Sequence, residues 1–175
     1  MMKTISGRVL GIDPGLAKMG WGVIDVDGPG FQLVEYGSLK TGKDQSHSER
    51  LLAVHQEIRG VITRFSPESC AIEEVFQGKN PRSALVAGEA RGVSIVACSL
   101  DGLRVSEISA SEVKLGVTGN GRASKEQVQA MVQRILGLPK PPKPADAADA
   151  LAVAIVMAQR SRRTISLASG RSGSS

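Results

Sequence analysis

The stretch RVLGIDPGLAKMGWGVIDVDGPGFQLVEYGSLK, residues 8–40, decides the fold class. Arg8 to Asp13 is an apolar run that ends on an acid and is closed by Pro14-Gly15, the composition of a buried strand entering a turn. Met19 to Asp25 reads as a second strand. Asp27-Gly28-Pro29-Gly30 is a second turn signal, and Phe31 to Lys40 follows with partial alternation. Three strands joined by such short connections predict an antiparallel meander.

Beyond Lys40 the period changes. Leu51, Leu52, Val54, Ile58, Val61, Ile62 and Phe65 fall at helical spacing, with Ser46 or Ser48 as the cap and Ser66-Pro67 as the stop. Ser69 to Phe76, SCAIEEVF, is a short apolar strand with two glutamates inside it. Asn80-Pro81 opens a helix that runs to about Ser99, with the proline in its first turn. Leu103 to Ile108 is a fifth strand. Ser109 or Ser111 caps a short helix, Gly116 to Gly121 is expected as a glycine-rich loop, and Ser124 to Leu136 is helical. Leu138 to Pro144, LPKPPKP, is a stiff linker into a last helix from Ala145 to about Arg163. Residues 1–7 are expected to form a flexible N-terminus, and the Ser/Gly-rich residues 164–175 a disordered tail, which leaves one domain over 8–163. The order βββ-α-β-α-β-α-α-α predicts an α/β fold: a mixed five-stranded sheet, three antiparallel strands and then two parallel ones, with helices on both faces.

Composition bounds the function classes. The 175 residues suit about one domain, and 41% apolar with 22% charged residues is ordinary globular usage. No uninterrupted apolar run approaches the ~20 residues of a membrane span; the longest, Ala150 to Ala158, reads as a core helix. The N-terminus lacks a signal-peptide apolar region, so no membrane partner and a cytoplasmic location are expected. Cys70 and Cys98 lie in apolar stretches without CxxC spacing and read as buried thiols, and two surface histidines, His47 and His55, exclude a histidine-rich metal site. Residues 1–103 hold 11 Lys+Arg against 12 Asp+Glu, whereas residues 104–175 hold 11 against 5, so the net charge of +5 is all C-terminal. A one-sided basic excess points to a polyanion. With only three Phe, one Tyr and one Trp, a broad base-stacking surface is excluded.

The acids inside apolar segments stand out, because a buried carboxylate is costly unless paired or metal-bound. Asp13 ends the first strand, Glu73 and Glu74 sit within the fourth, and Asp146 and Asp149 open the last helix. Each has a plainer reading, Asp13 as a turn former, Asp146 as a helix cap and Asp149 as a first-turn charge. Together they say more. Asp146 and Asp149 are three apart and share a helix face, and one of the two glutamates, on opposite sides of a strand, must face the same way as Asp13. Carboxylates gathered at one point require cations, and oxygen-only ligands suit Mg²⁺, with Mn²⁺ able to substitute. Two such ions are the usual apparatus of phosphodiester hydrolysis.

The segments LGIDPGLAKMGWGVI (10–24), AIEEVFQGKNPRSALVAGEARG (71–92), SEVKLGVTGNGRASKEQVQAMV (111–132) and DAADALAVAI (146–155), in this order and spacing, resemble the RuvC Holliday-junction resolvases from about Arg8 to Ala158. The resemblance implies a ribonuclease-H-like fold and a homodimer. It implies divalent-metal-dependent resolution of four-way DNA junctions by two symmetric nicks that leave 5′-phosphate ends, in recombination and repair, with the RuvA and RuvB branch-migration proteins as partners. It assigns the catalytic and metal-binding acids to Asp13, Glu73, Asp146 and Asp149, with two Mg²⁺ ions per site. It assigns the junction wedge to Phe76 and two DNA contacts to Lys114 and Lys125. An apolar side chain at the end of a strand is suited to unstacking bases. Lys79, Asn80 and Arg82, in the following loop, are further candidates for phosphate contact. Other readings are a catalytically idle junction-binding module, an actin-like ATPase (for which the chain is short), and a nuclease of the same fold acting on RNA–DNA hybrids or structured RNA.

Overall fold

The computed structural model describes residues 6–74 and 80–170, with side chains described for 7–74 and 80–162. Strands β1 (Ser6–Asp13), β2 (Lys18–Asp27), β3 (Gly30–Lys40), β4 (Ser69–Glu73) and β5 (Arg104–Ile108) form one sheet in the order β3-β2-β1-β4-β5. The first three pair antiparallel, while β1–β4 and β4–β5 pair parallel. Helices α1 (His47–Phe65) and α2 (Pro81–Leu100) supply the crossovers, and α3 (Ala110–Thr118), α4 (Lys125–Ile135) and α5 (Ala145–Gly170) complete the chain.

Strand alternation sorts the core into two halves. Leu10, Ile12, Met19, Val23, Cys70 and Ile72 point to one face and pack on Val54, Ile58 and Ile62 of α1 and on Ala97 and Cys98 of α2. Val9, Ile24, Val26 and Ala71 point to the other and pack on α5, which is backed by Val113 and Val117 of α3 and Val128 and Val132 of α4. Helix α5 is buried on all sides from Ala147 to Val156 except at Asp149, as expected of a helix with apolar residues all round. Its alanines face glycines. A β-carbon on Gly11 would meet the Ala150 carbonyl oxygen at 2.1 Å, and one on Gly20 would meet the Asp146 carbonyl oxygen at 1.9 Å. Glycine at these two positions lets the helix backbone lie directly on β1 and β2.

The helix starts follow their capping residues. Ser46 and Ser124 form capping boxes with Glu49 and Gln127, and Ser109 caps α3. Cys70 and Cys98 are buried free thiols whose sulfurs lie 3.3 Å apart between β4 and α2.

Three boundaries differ from the sequence reading. Gly116 is not in a loop: it lies inside α3, where a β-carbon would approach Val156 Cγ2 at 2.8 Å, and the chain leaves the helix only at Gly119, in the left-handed region at φ 77°. Helix α5 runs to Gly170 rather than ending near Arg163. Arg162 holds its outer part to the β2–β3 turn, donating to the Pro29 and Gly30 carbonyls at 3.0 and 2.9 Å with its guanidinium 4.2 Å from the Phe31 ring centre. Strand β4 ends at Glu73, and Phe76 and Lys79 lie outside the described residues. Among the described residues, α2 is long and apolar enough on average to cross a membrane, although Glu89 and Arg91 interrupt it. One side of it packs on α1, β4 and β5, and Leu85, Val96 and Leu100 stand exposed.

Candidate active site

The parallel register of β1 and β4 brings the first two acids together. Ile12 pairs with Ile72, both pointing toward α1 and α2. The next residue on each strand must therefore point the other way, which sets Asp13 and Glu73 side by side on the α5 face, at the carboxyl ends of neighbouring strands. The same parity turns Glu74 away, and its N–H donates to the Ile108 carbonyl at 2.8 Å. Gly20, paired with Asp13 across the antiparallel ladder, admits the first turn of α5 and so brings in Asp146 and Asp149.

Asp13, Glu73 and Asp149 line one pocket of about 200 Å³, together with Ala110, Val113 and Lys114 of α3 and Lys125 and Val128 of α4. Asp146 stands at its margin and acts on Asp13 through its charge. Burial first, and then the charges of Glu73, Asp149 and Asp146, push the Asp13 carboxyl up to about 8. The environment of Asp13 thus favours its protonated form, with the Glu73 carboxylate beside it as the acceptor. Burial and the Asp149 charge also raise Glu73. Asp149 is raised by burial and partly relieved by Lys125, whose Nζ lies 3.4 Å from Asp149 Oδ2; the Lys125 ammonium is raised in turn, chiefly by Asp149. A raised Asp13 beside Glu73 and a Lys125 beside Asp149 let these three acids share the pocket without a cation.

A family model described as crossover junction endodeoxyribonuclease RuvC matches residues 9–157. The chain belongs to the RuvC family. Among RuvC proteins, that of Chloroflexus aggregans is 48% identical over 148 residues, 85% of this chain and 90% of that one. The RuvC of Methylocella silvestris is 48% identical over 152 residues, 87% of this chain and 86% of that one. In three dimensions the chain matches Thermus thermophilus RuvC in complex with Holliday junction substrate, with a TM-score of 0.86 and 36% identity over 91% of this chain and 97% of that one. The ribonuclease-H-like architecture expected from the sequence is therefore the RuvC fold.

The donor set of this RuvC chain fits a hard divalent cation. All the donors are carboxylate oxygens, and both the burial and the neighbouring acids that raise Asp13 are offset by a bound cation. Among the described residues no three Asp, Glu, His or Cys side chains already close around one metal-sized point. Asp13, Glu73 and Asp149 would hold such a cation once Asp13 gave up its proton and Lys125 moved from Asp149.

The remaining sequence candidates divide. Lys114 and Lys125 both reach the acidic pocket. Asn80 caps α2, its Oδ1 accepting from the Arg82 N–H at 2.9 Å, and the Arg82 side chain is exposed on the opposite side of the sheet from the two lysines. Sequence reasoning missed Gly11 and Gly20, which place α5. Their signal is a glycine in a strand that otherwise reads as buried, at the same parity as Asp13.

Proposed function

We propose that this chain is a junction-resolving endonuclease: it cuts four-way DNA junctions by metal-dependent phosphodiester hydrolysis, in recombination and repair. The observation that carries the reading is the meeting of Asp13, Glu73 and Asp149 in one pocket with Lys114 and Lys125. Asp13, Glu73 and Asp149, with Asp146 beside them, would hold two Mg²⁺ ions, with Mn²⁺ able to substitute. Such ions supply an activated water and stabilise the leaving oxygen, here the 3′ oxygen, so that the product carries a 5′-phosphate. The protein's own part is positional and electrostatic. The rigid ends of β1 and β4 fix two of the acids, α5 fixes the others, and Lys114 and Lys125 draw a phosphate toward the pocket.

A two-fold junction needs two cuts, and a homodimer supplies two sites in matching orientation. The exposed Leu52 of α1 and Leu85, Val96 and Leu100 of α2 offer apolar surface for such a partner. Phe76 takes the wedge role implied by family membership, RuvA and RuvB act with the enzyme on the same junction, and the work is done in the cytoplasm.

The test is incubation of the full chain with a synthetic mobile four-way junction, with and without Mg²⁺, and products mapped on all four strands. Paired nicks at symmetric positions, only with metal, are expected. Tight binding with no nicks in Mg²⁺ or Mn²⁺ would leave a binding module, and preferential cutting of RNA–DNA hybrid or structured RNA would move the substrate class.

A further inference from the structure

A second cleft, of about 530 Å³, opens on the other side of the sheet from the lysines of the acidic pocket. Its walls are the β1–β2 turn (Gly15 to Ala17) with Lys18 at the start of β2, Arg50 in α1, and Arg82, Ser83, Val86 and Ala87 in the first turns of α2. The β1–β2 turn directly continues the strand that carries Asp13. Gly15 is two residues from Asp13, so their Cα atoms lie at most about 7 Å apart, roughly two base-pair steps along the axis of a DNA duplex.

The charges of this cleft are one-sided. Lys18, Arg50 and Arg82 line it, and no acid does. Among the described residues, none of the three is ion-paired, whereas Arg8, Arg59, Arg91 and Arg160 are paired with Asp25, Asp101, Glu107 and Glu112. Arg50 is held in place: its Nε donates to Thr41 Oγ1 at 2.9 Å, and that hydroxyl donates to the Leu16 carbonyl at 2.7 Å. This anchors the guanidinium to the turn and leaves its terminal nitrogens for the cleft. Arg82 sits in the first turn of α2, where the helix dipole disfavours a cation and where α1, α3, α4 and α5 each carry an acid. A local rule broken without internal compensation marks a position answering to something outside the fold.

We propose that this cleft seats the phosphodiester backbone of a junction segment outside the cut, gripping it with Lys18, Arg50 and Arg82 on the face of the sheet opposite Lys114 and Lys125. The proposal rests on the nuclease reading above and deepens it. Asp13 then lies between two cationic seats, and a backbone that turns over the carboxyl end of the sheet, as at a branch point, engages both. A straight duplex held by one seat does not reach the other.

The test compares wild type with the Lys18→Ala/Arg82→Ala double variant, measuring affinity for a four-way junction and for a linear duplex without metal over a series of salt concentrations. Among the described residues neither side chain has a hydrogen-bond or ion-pair partner, and Arg50 is kept because it holds Thr41. Each lost phosphate contact flattens the log–log salt slope by about 0.9, so a change near 1.8 for each protomer engaged on the junction, about 3.6 for a dimer, and a loss of about tenfold or more in junction affinity at 0.1 M salt are expected. The loss is larger for the junction than for the duplex, and Lys18→Arg/Arg82→Lys restores it. An unchanged slope, an equal loss on duplex, or a loss that tracks dissociation of a dimer in sedimentation would overturn the proposal. The two readings fail separately. A wild type that nicks junctions while the double variant keeps its slope sinks the cleft alone. A wild type that nicks nothing while the slope falls leaves the cleft and removes the resolvase.

Discussion

Gly20 of β2 and Asp146 of α5 meet backbone to backbone: a β-carbon on the glycine would fall 1.9 Å from the Asp146 carbonyl oxygen and 2.7 Å from the Ala147 nitrogen. Gly20 is also the ladder partner of Asp13. One missing side chain thus sets how closely the acids of the helix approach the acid of the strand.

Gly20→Ala is therefore expected to lower stability by about 1–3 kcal/mol, because backbone rather than a flexible side chain must give way. Junction cleavage should fall by more than the unfolded fraction accounts for, since α5 is pushed from Asp13. Thermal denaturation and single-turnover cleavage, measured together, check this. Gly60→Ala, inside α1 with nothing within 4 Å of the new methyl group, should instead raise stability by about 0.5–1 kcal/mol without touching the site.

Replacing Asp13, Glu73 or Asp149 by its amide keeps the shape of the pocket and removes a ligand charge. Each variant should lose cleavage by about a hundredfold or more, given that even outer partners of metal ligands are worth roughly 10–100-fold. Metal-free junction affinity should rise for Glu73→Gln and Asp149→Asn, which each take a negative charge from beside the phosphates, and stay the same for Asp13→Asn, whose carboxyl is already neutral without metal. Cleavage and gel-shift assays on the same preparations separate the two effects. Full cleavage by all three would remove these acids from the mechanism.

The acids were legible because the rules that expose them are local: a carboxyl inside an apolar strand has few innocent explanations. Strand parity alone leaves Glu73 and Glu74 open; the family resemblance points to Glu73, and the pairing of Ile12 with Ile72 shows the physical reason, since it puts Glu73 on the face of Asp13. The role of Gly20 was not legible, since its neighbour Asp146 is far away in the chain and only the packed helix shows the collision. Gly116 misled for the same reason. Glycine in a helix ordinarily costs about 1 kcal/mol relative to alanine, so it reads as a loop, but here the methyl groups of Val156 occupy the space a side chain would need. Helix α5 runs on to Gly170 past the end that Ser/Gly composition suggested, and the last described side chain before that stretch, Arg162, is tied to Pro29 and Gly30.

The raised Asp13 carboxyl makes a signed prediction for the metal-free protein. In the unfolded chain this group loses its proton near 3.8, whereas in the fold it holds it up to about 8. Between those values the folded state binds more protons than the unfolded one, so stability falls as pH rises through the window. With chelator present, the melting temperature of wild type relative to Asp13→Asn should drop between pH 5 and pH 8.5, at about 2–4 °C for each kcal/mol of linkage in a chain of this size. The difference between the two proteins, rather than either curve alone, isolates this group from the other titrating side chains. Saturating Mg²⁺ should reverse the trend for wild type, because the cation takes the place of the proton and binds better as the pH rises. Parallel melting curves for the two proteins across that range, with and without metal, would show that Asp13 carries no trapped proton and that the acids do not meet as described.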